Sequence, residues 1–403
     1  MLKQSAEKPH DVAQEPSPAL ITTAAIATGA LVANLYYAQP LVASIGPQIG
    51  TSADLAGSIT MITQMGYGAG LFLLVSLADL VENRKLVLAT VALTCVGLIG
   101  VALSTSALPF FAASFVIGIS STGAQVLLPF VAHLVPEERR GRVIGYVMSG
   151  LLAGIMLARP ASLFIAASFG WRAVFWCSAV LMMGIGLALA KMMPVHKPHG
   201  GMHYGRILAS MAGLLRDMPA IRWRAAYQAL MFAAFNMFWT AVPIMLGQRF
   251  GLGEHAIGLF ALAGAGGALA APLAGRLADQ KLGGVLTVGA MLSLGLGFYL
   301  TNWAMVFGSL AGMVVLAVII DAAVQINQIV GQRIIFAVPS NIRGRVNAIY
   351  MTLMFAGGAL GSLLGTLTYD HGGWEMTAIV GGLLGAAGLG LFAIEMIRKS
   401  RHG

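Results

Sequence analysis

VPEERRGRV at residues 135–143 and VPSNIRGRV at residues 338–346 are one stretch met twice, 203 residues apart. At that offset the correspondence continues in order. Met148, Ala153 and Gly154 return as Met351, Ala356 and Gly357, Gly170-Trp171 returns as Gly373-Trp374, and Pro40 returns as Pro243. Leu77-Ala78-Asp79 returns as Leu277-Ala278-Asp279 at an offset of 200, so a small insertion separates the two registers. Matches that keep their order along both halves describe a tandem duplication, each copy running in the same direction.

Composition says what is duplicated. The 403 residues are 58% hydrophobic and 10% charged, against about 25% charged in a soluble domain. Apolar runs of about 20 residues, each able to cross a ~30 Å hydrocarbon layer, recur throughout. They predict spans near 19–45, 55–78, 85–105, 109–135, 143–167 and 172–193, then 223–248, 255–278, 283–301, 304–336, 345–369 and 374–396. The fold class is an all-α polytopic membrane protein of twelve transmembrane helices in two pseudo-symmetric six-helix bundles, 19–193 and 223–396. A cytoplasmic interdomain loop, 194–222, joins them. Residues 1–18 are polar and lack an apolar core, so they read as a disordered cytoplasmic tail and not a signal peptide; 397–403 form a second tail. Cys95 and Cys177 fall inside apolar spans, which argues against a disulfide framework.

Of the 24 basic residues, 21 fall on the side of the termini, Arg172 and Arg249 on the other, and Arg159 within the membrane. The positive-inside rule places both termini in the cytoplasm. This asymmetry accounts for the net charge of +9 without a nucleic-acid partner. Parallel repeats of this kind place a binding site between the halves near mid-membrane.

With these features the chain resembles the major facilitator superfamily of transporters over roughly residues 19–396. The family signature G-x-L-A-D-R-x-G-R-K is approached by Gly275-Arg276-Leu277-Ala278-Asp279-Gln280-Lys281. A looser first copy runs from Val75 through Leu77-Ala78-Asp79 to Arg84-Lys85. Within the superfamily it looks most like the bacterial drug and sugar (arabinose-type) efflux group. It departs from the drug exporters in span four, where Ser114 stands at the position of an arginine. In span five Arg159-Pro160 replaces a Gly-Pro pair, and Leu163 and Phe164 stand where glycines are expected. The resemblance implies a central cavity lined by spans one, four, seven and ten, and a cytoplasmic gate at Asp79, Arg84, Lys85 and Asp279. For Asp79 and Asp279, ordinary ion pairing in the loops is the alternative.

The polar residues of those spans form the candidate site. Asp321, Gln325, Gln328 and Gln332 are spaced i, i+4, i+7 and i+11, on one helical face. Such a face lines a cavity or bonds to a neighbouring helix. Gln328 corresponds to Gln125 in span four. Span one carries Ala33-Asn34-Leu35-Tyr36-Tyr37-Ala38-Gln39-Pro40, and span seven carries Asn236-Met237-Phe238-Trp239-Thr240-Ala241-Val242-Pro243. Asn34, Tyr37, Asn236 and Trp239 are the substrate-binding candidates there, with an interfacial aromatic belt as the alternative for the rings.

Arg159 stands in an otherwise uncharged run from Val143 to Ala167, where an arginine costs about 2.5–3.5 kcal/mol even on the lenient insertion scale. Asp321 lies 15 residues and Arg159 16 residues from the cytoplasmic ends of their spans, both about 23 Å deep. We expect the two to pair or come close across the interface between the halves. A pair that forms in only one state loads and releases a proton; a static pair only keeps the halves in register. In a third arrangement Arg159 binds an anionic group of the substrate and Asp321 balances its charge.

Other signals are discounted. Met192, Met193, His196, His199, Met202 and His203 lack ligand spacing and read as a solvated linker, not a metal site. His133 reads as a packed or capping residue. Gly264-Ala265-Gly266-Gly267-Ala268 follows no strand and is close helix packing, not a phosphate loop. There is no catalytic constellation, so the chain is not expected to be an enzyme or to need a cofactor. The expected function is alternating-access export of a small organic solute across the bacterial inner membrane by proton antiport, as a monomer. Its partners are then the solute, protons and the lipid bilayer. The competing expectations are a facilitator or proton symporter importing a sugar or organic acid, and a non-transporting membrane sensor. A phosphatase active only outside the cytoplasm tests the orientation. Fused after Phe250 or Asn302 it is expected to be active, and after Arg142 or Arg345 silent.

Overall fold

The computed structural model describes residues 16–78, 80–195, 203–268 and 282–402. Among them no strand occurs, and nine helices are long and apolar enough to cross a membrane. The first half comprises α1 (Pro18–Ala33), α2 (Val42–Ile49), α3 (Ser58–Leu77), α4 (Asn83–Leu103), α5 (Ala107–Ser121), α6 (Gly123–His133), α7 (Glu137–Phe169) and α8 (Trp171–Met192). After α9 (Tyr204–Asp217) come α10 (Pro219–Phe250), α11 (Glu254–Ala261), α12 (Ala263–Ala268), α13 (Gly283–Val306), α14 (Leu310–Ile335) and α15 (Ser340–His402). The helix α15 holds two spans, because Gly373 at φ 62° turns the chain where other residues are strained. Span one is α1 with α2, span four is α5 with α6, and span eight begins with α11 and α12. Among the described residues the helices thus account for eleven of the twelve expected spans and for the first part of span eight.

Three elements depart from the expected spans. Span one is broken after Ala33, and a 3-10 turn, Gln39–Leu41, precedes α2. Pro40 contributes to the break: it lacks an amide donor, so the Tyr36 carbonyl four residues back loses its helical partner, and it sits early in the 3-10 turn. Span four changes helix at Thr122, whose Oγ1 turns back onto the Ile119 carbonyl at 2.7 Å. The interdomain loop contains α9, an amphipathic helix that buries Ile207 and Met211. The apolar residues Ile207, Leu208, Met211, Leu214 and Leu215 fall at helical spacing, which the loop assignment overlooked.

Each half is held by close helix crossings. A side chain at Gly150 would strike the Ala25 carbonyl on α1, and one at Gly154 the Gly29 carbonyl. In the second half, Gly357 abuts the Ala229 carbonyl and Gly361 the Ala233 carbonyl on α10. Small residues let backbones approach and so gain dispersion contacts, which drive packing in lipid. The two crossings repeat each other, and they set a register. Ala25 and Ala229 are 204 residues apart, as are Gly29 and Ala233; Gly150 and Gly357 are 207 apart, as are Gly154 and Gly361. Packing therefore equates Arg159 with Thr366, one helical turn beyond the residue implied by sequence matching, Ser362.

The halves meet along α3 and the first part of α15. There Gly57 N donates to Thr366 Oγ1 (2.9 Å), the Tyr67 and Phe355 rings lie 4.5 Å apart, and Thr352 Oγ1 donates to the Gly68 carbonyl (3.1 Å). A second seam runs between α7 and α11, with Phe164 and His255 at 5.9 Å. On the face where both termini emerge, α9 ties the halves together. Tyr204 OH donates to the Leu73 carbonyl (3.0 Å) and Ser76 Oγ to Met211 Sδ (3.3 Å), while Arg345 Nη1 donates to Ser210 Oγ (2.7 Å).

Gly361→Leu overpacks a crossing, at about 1–3 kcal/mol, and is expected to lower the melting temperature of the purified protein. Gly184→Ala, with nothing within 4 Å of the added carbon, is expected to melt like the parent.

Candidate functional site: a buried polar cluster between the halves

Helix α7 runs unbroken through Pro160 and carries Arg159 into the interface, where the side chain is only 4% exposed. Gln39 accepts from Arg159 Nε at 2.9 Å. The guanidinium carbon lies 4.8 Å from the centre of the Tyr36 ring, 5.1 Å from Phe235 and 4.9 Å from Trp239. Nη2 is buried with no partner. A desolvated cation–π contact contributes about 2 kcal/mol, and a hydrogen bond to a charged group about 1.5–3 kcal/mol. Three rings and one amide oxygen are therefore enough to offset the insertion cost of the arginine.

Gln39 links this cation to the other half. Its Nε2 donates to Asn236 Oδ1 (3.0 Å) and to Thr240 Oγ1 (3.2 Å) on α10. Gln64 of α3 also donates to Asn236 Oδ1, while Asn236 Nδ2 donates to the Phe232 carbonyl (2.9 Å). Asn236 thus accepts from two spans of the first half while anchored in its own helix. Gln64 Oε1 is buried without a donor.

Trp239 carries the connection onward. Its Nε1 donates to Asp321 Oδ1 on α14 at 2.7 Å, and Asp321 is 4% exposed. A carbon added at Gly264 would lie 2.8 Å from Asp321 Oδ2 and 2.9 Å from the indole, so the glycine makes room for both. Arg159 and Asp321 come close without pairing directly: no ion pair within 4.0 Å joins them among the described residues. They share the Trp239 indole, the guanidinium over its ring and the carboxylate at its N–H.

The remaining candidates are dispersed. Asn34 accepts from Ser178 Oγ of α8 at 2.6 Å, inside the first half and away from the seam. Tyr37 lines an open groove of about 400 Å³ with Tyr146, Leu157 and Leu181, so its neighbour Tyr36 is the one at the cation. The chain turns rather than coils through residues 34–38, and the two adjacent tyrosines face different surroundings. Gln125 is half-buried and donates to Tyr67 OH at 3.1 Å. Gln325 and Gln328 are half-buried, whereas Asn327 between them is buried and donates to Gln228 of α10 at 2.8 Å. On the terminal face Arg84 donates to the Ala190 carbonyl, and Lys85 pairs with Glu82 at 3.2 Å. Asp79 and Asp279 lie outside the described residues, as do His196 and His199.

Four members of the cluster were not singled out in the sequence reading: Gln39, Gln64, Phe235 and Thr240; Tyr36 was seen in the aromatic pair of span one, with an interfacial belt as its alternative. A signal existed for Gln64, the one amide in α3. None existed for Phe235, which looks like any core ring.

Comparison with known proteins follows the same outline. The model of the Major Facilitator Superfamily matches residues 24–326 and 225–402. The uncharacterized transporter YgaY of Escherichia coli O157:H7 is 38% identical, over 93% of this chain and 95% of its own. A chloramphenicol resistance protein of Streptomyces lividans is 26% identical over 67% of this chain and 69% of its own. Among solved structures, that of a D-xylose-proton symporter superposes with a TM-score of 0.69 at 16% identity, covering 93% of this chain and 96% of that one.

Gln39→Leu tests the cluster. It strands a buried charged donor, a loss of about 1–3 kcal/mol or more, and is expected to lower the melting temperature. The double variant with Asn236→Ala is expected to lose less than the two single losses combined, since the residues share a network. Strict additivity would show that the two residues are not coupled.

Proposed function

This chain belongs to the major facilitator superfamily, and from that premise we propose that it exports a small organic solute across the bacterial inner membrane, driven by inward proton flow. The two halves rock about the buried cluster, exposing it to each side in turn. The chain works as a monomer with both termini in the cytoplasm, an orientation supported by the 21 basic residues on that side. Export finds support in the relative named for chloramphenicol resistance.

One observation carries the coupling: Asp321 in the second half is joined through a single indole to Arg159 in the first. Any rocking that parts α7 from α10 moves the cation away from the indole and changes the field at the carboxylate. A carboxylate that faces a fixed cation in one state and not in the other exchanges a proton as the states alternate. Arg159 is the fixed charge and Asp321 the proton carrier. Solute contacts fall to Arg159, Trp239 and Asn236 of the cluster, and to Gln125, Gln325 and Gln328 on spans four and ten. Asp79, Arg84, Lys85 and Asp279 serve the cytoplasmic gate.

Inverted membrane vesicles give the test, with chloramphenicol and the solutes that accumulate in a deletion strain as probes. Energised vesicles are expected to take up a probe and to lose it when a protonophore collapses the gradient. Asp321→Asn is expected to cut gradient-driven uptake at least about tenfold while sparing downhill exchange. Uptake unchanged in Asp321→Asn, or a silent Arg159→Ala, would overturn the coupling. Loss of probe on energisation would favour import by symport.

A further inference from the structure

The charges of the cluster restrict the cargo it can carry. Arg159 and Asp321 are the two buried ions at the seam. The other two buried ions among the described residues, Arg224 and Glu395, belong to a separate group inside the second half. There Arg224 Nη1 donates to Thr287 Oγ1 (2.9 Å), and Glu395 accepts from Tyr227 OH and pairs with Lys399 at 2.7 Å.

Around Asp321, α10 presents the uncharged Trp239, α12 presents Gly264, and Arg159 faces it from α7 with Tyr36 beyond the guanidinium. Helix α13 has no charged residue along its length, and those in the first part of α15, Arg343, Arg345 and Asp370, stand at its ends. With Asp321 ionised the seam is net neutral. The buried polar atoms of the cluster that lack protein partners include a donor, Arg159 Nη2, and an acceptor, Gln64 Oε1.

We propose that the cargo is an uncharged polar solute that offers a hydrogen-bond acceptor to Arg159 Nη2 and a donor to Asp321. The opposed charges then exclude organic cations and anions alike. A cation would have to sit beside the Arg159 guanidinium with no acceptor to offer it, and an anion beside the Asp321 carboxylate with no donor, so each meets a like charge at one of its two contacts. An uncharged compound with a hydroxyl or amide group offers both, accepting from Arg159 Nη2 and replacing the indole N–H as the donor to the carboxylate.

The inference rests on the antiport reading, and it supplies that reading with a mechanism of exclusion. A protonated carboxyl keeps acceptor capacity but adds a donor of its own, so a cargo that donates to Asp321 binds the ionised form. One proton leaves Asp321 for the cytoplasm as cargo binds, and one joins it from outside as cargo departs. The return leg carries Arg159 with neutral Asp321, so one positive charge moves inward per cargo exported. Both the pH gradient and an inside-negative potential drive it.

Proteoliposomes of the purified full chain provide the experiment. Vesicles are loaded with a small-metabolite extract, given an acid pulse outside, and the released species are sorted by ion exchange into cationic, uncharged and anionic fractions. Acid-driven release is expected in the uncharged fraction and is expected to rise when the potential is set to draw positive charge inward. Arg159→Gln, which keeps amide donors and removes the charge, is expected to raise downhill release of the cationic fraction, measured without the acid pulse, at least about tenfold. Arg159→Lys is expected to keep cations excluded, and guards against misfolding of the first variant. Release from the cationic or anionic fraction of the parent chain would overturn the charge assignment while leaving proton coupling standing. Acid-driven release of nothing at all would overturn the antiport reading and this inference with it.

Discussion

Three aromatic rings and one amide oxygen replace water around the Arg159 guanidinium, and the contacts between the halves at that depth follow from this replacement. The rings come from both halves, Tyr36 from the first and Phe235 and Trp239 from the second, so solvating the cation requires that the halves touch. Gln39 supplies its oxygen from the 3-10 turn that follows the break in span one after Ala33. The other end of the same amide reaches Asn236 and Thr240. One side chain thereby satisfies the cation and joins the bundles.

The same arrangement couples two charges that do not touch. A direct ion pair would have bound Arg159 and Asp321 strongly and would have been costly to separate. Trp239 holds the carboxylate with its N–H and the cation with its face, so either contact can change while the other is kept. Within each half, by contrast, helices meet backbone to backbone through Gly150, Gly154, Gly357 and Gly361. Stiff halves joined mainly by side-chain contacts suit movement between bundles more than movement within them.

Much of this was open to a reader of the chain. Arg159 and Asp321 stood out because ions in apolar runs are expensive, and their equal depth brought them together before any coordinates. Asn236 and Trp239 were found from a polar-aromatic cluster beside a proline. Both tyrosines were visible in span one, but which of them meets the cation is set by the turn through residues 34–38, and sequence gives no direction there. The amphipathic pattern of α9 was present but was absorbed into a polar, glycine-containing loop. The counterpart of Arg159 also moved, from Ser362 to Thr366, because backbone contact at the glycines and not residue identity sets where two helices cross.

Hydropathy and repetition alone determined that the chain is helical, spans a membrane twelve times and is a duplication. These follow from the cost of exposing backbone and polar groups to lipid, and that cost accrues residue by residue along the chain. Which polar group meets which was decided only in three dimensions. The rotation of each helix about its axis and its sliding against a neighbour depend on close contacts between residues far apart in sequence. A shift of one turn exchanges one partner for another while leaving every span equally apolar. The indole shared by Arg159 and Asp321 is the clearest product of that second level.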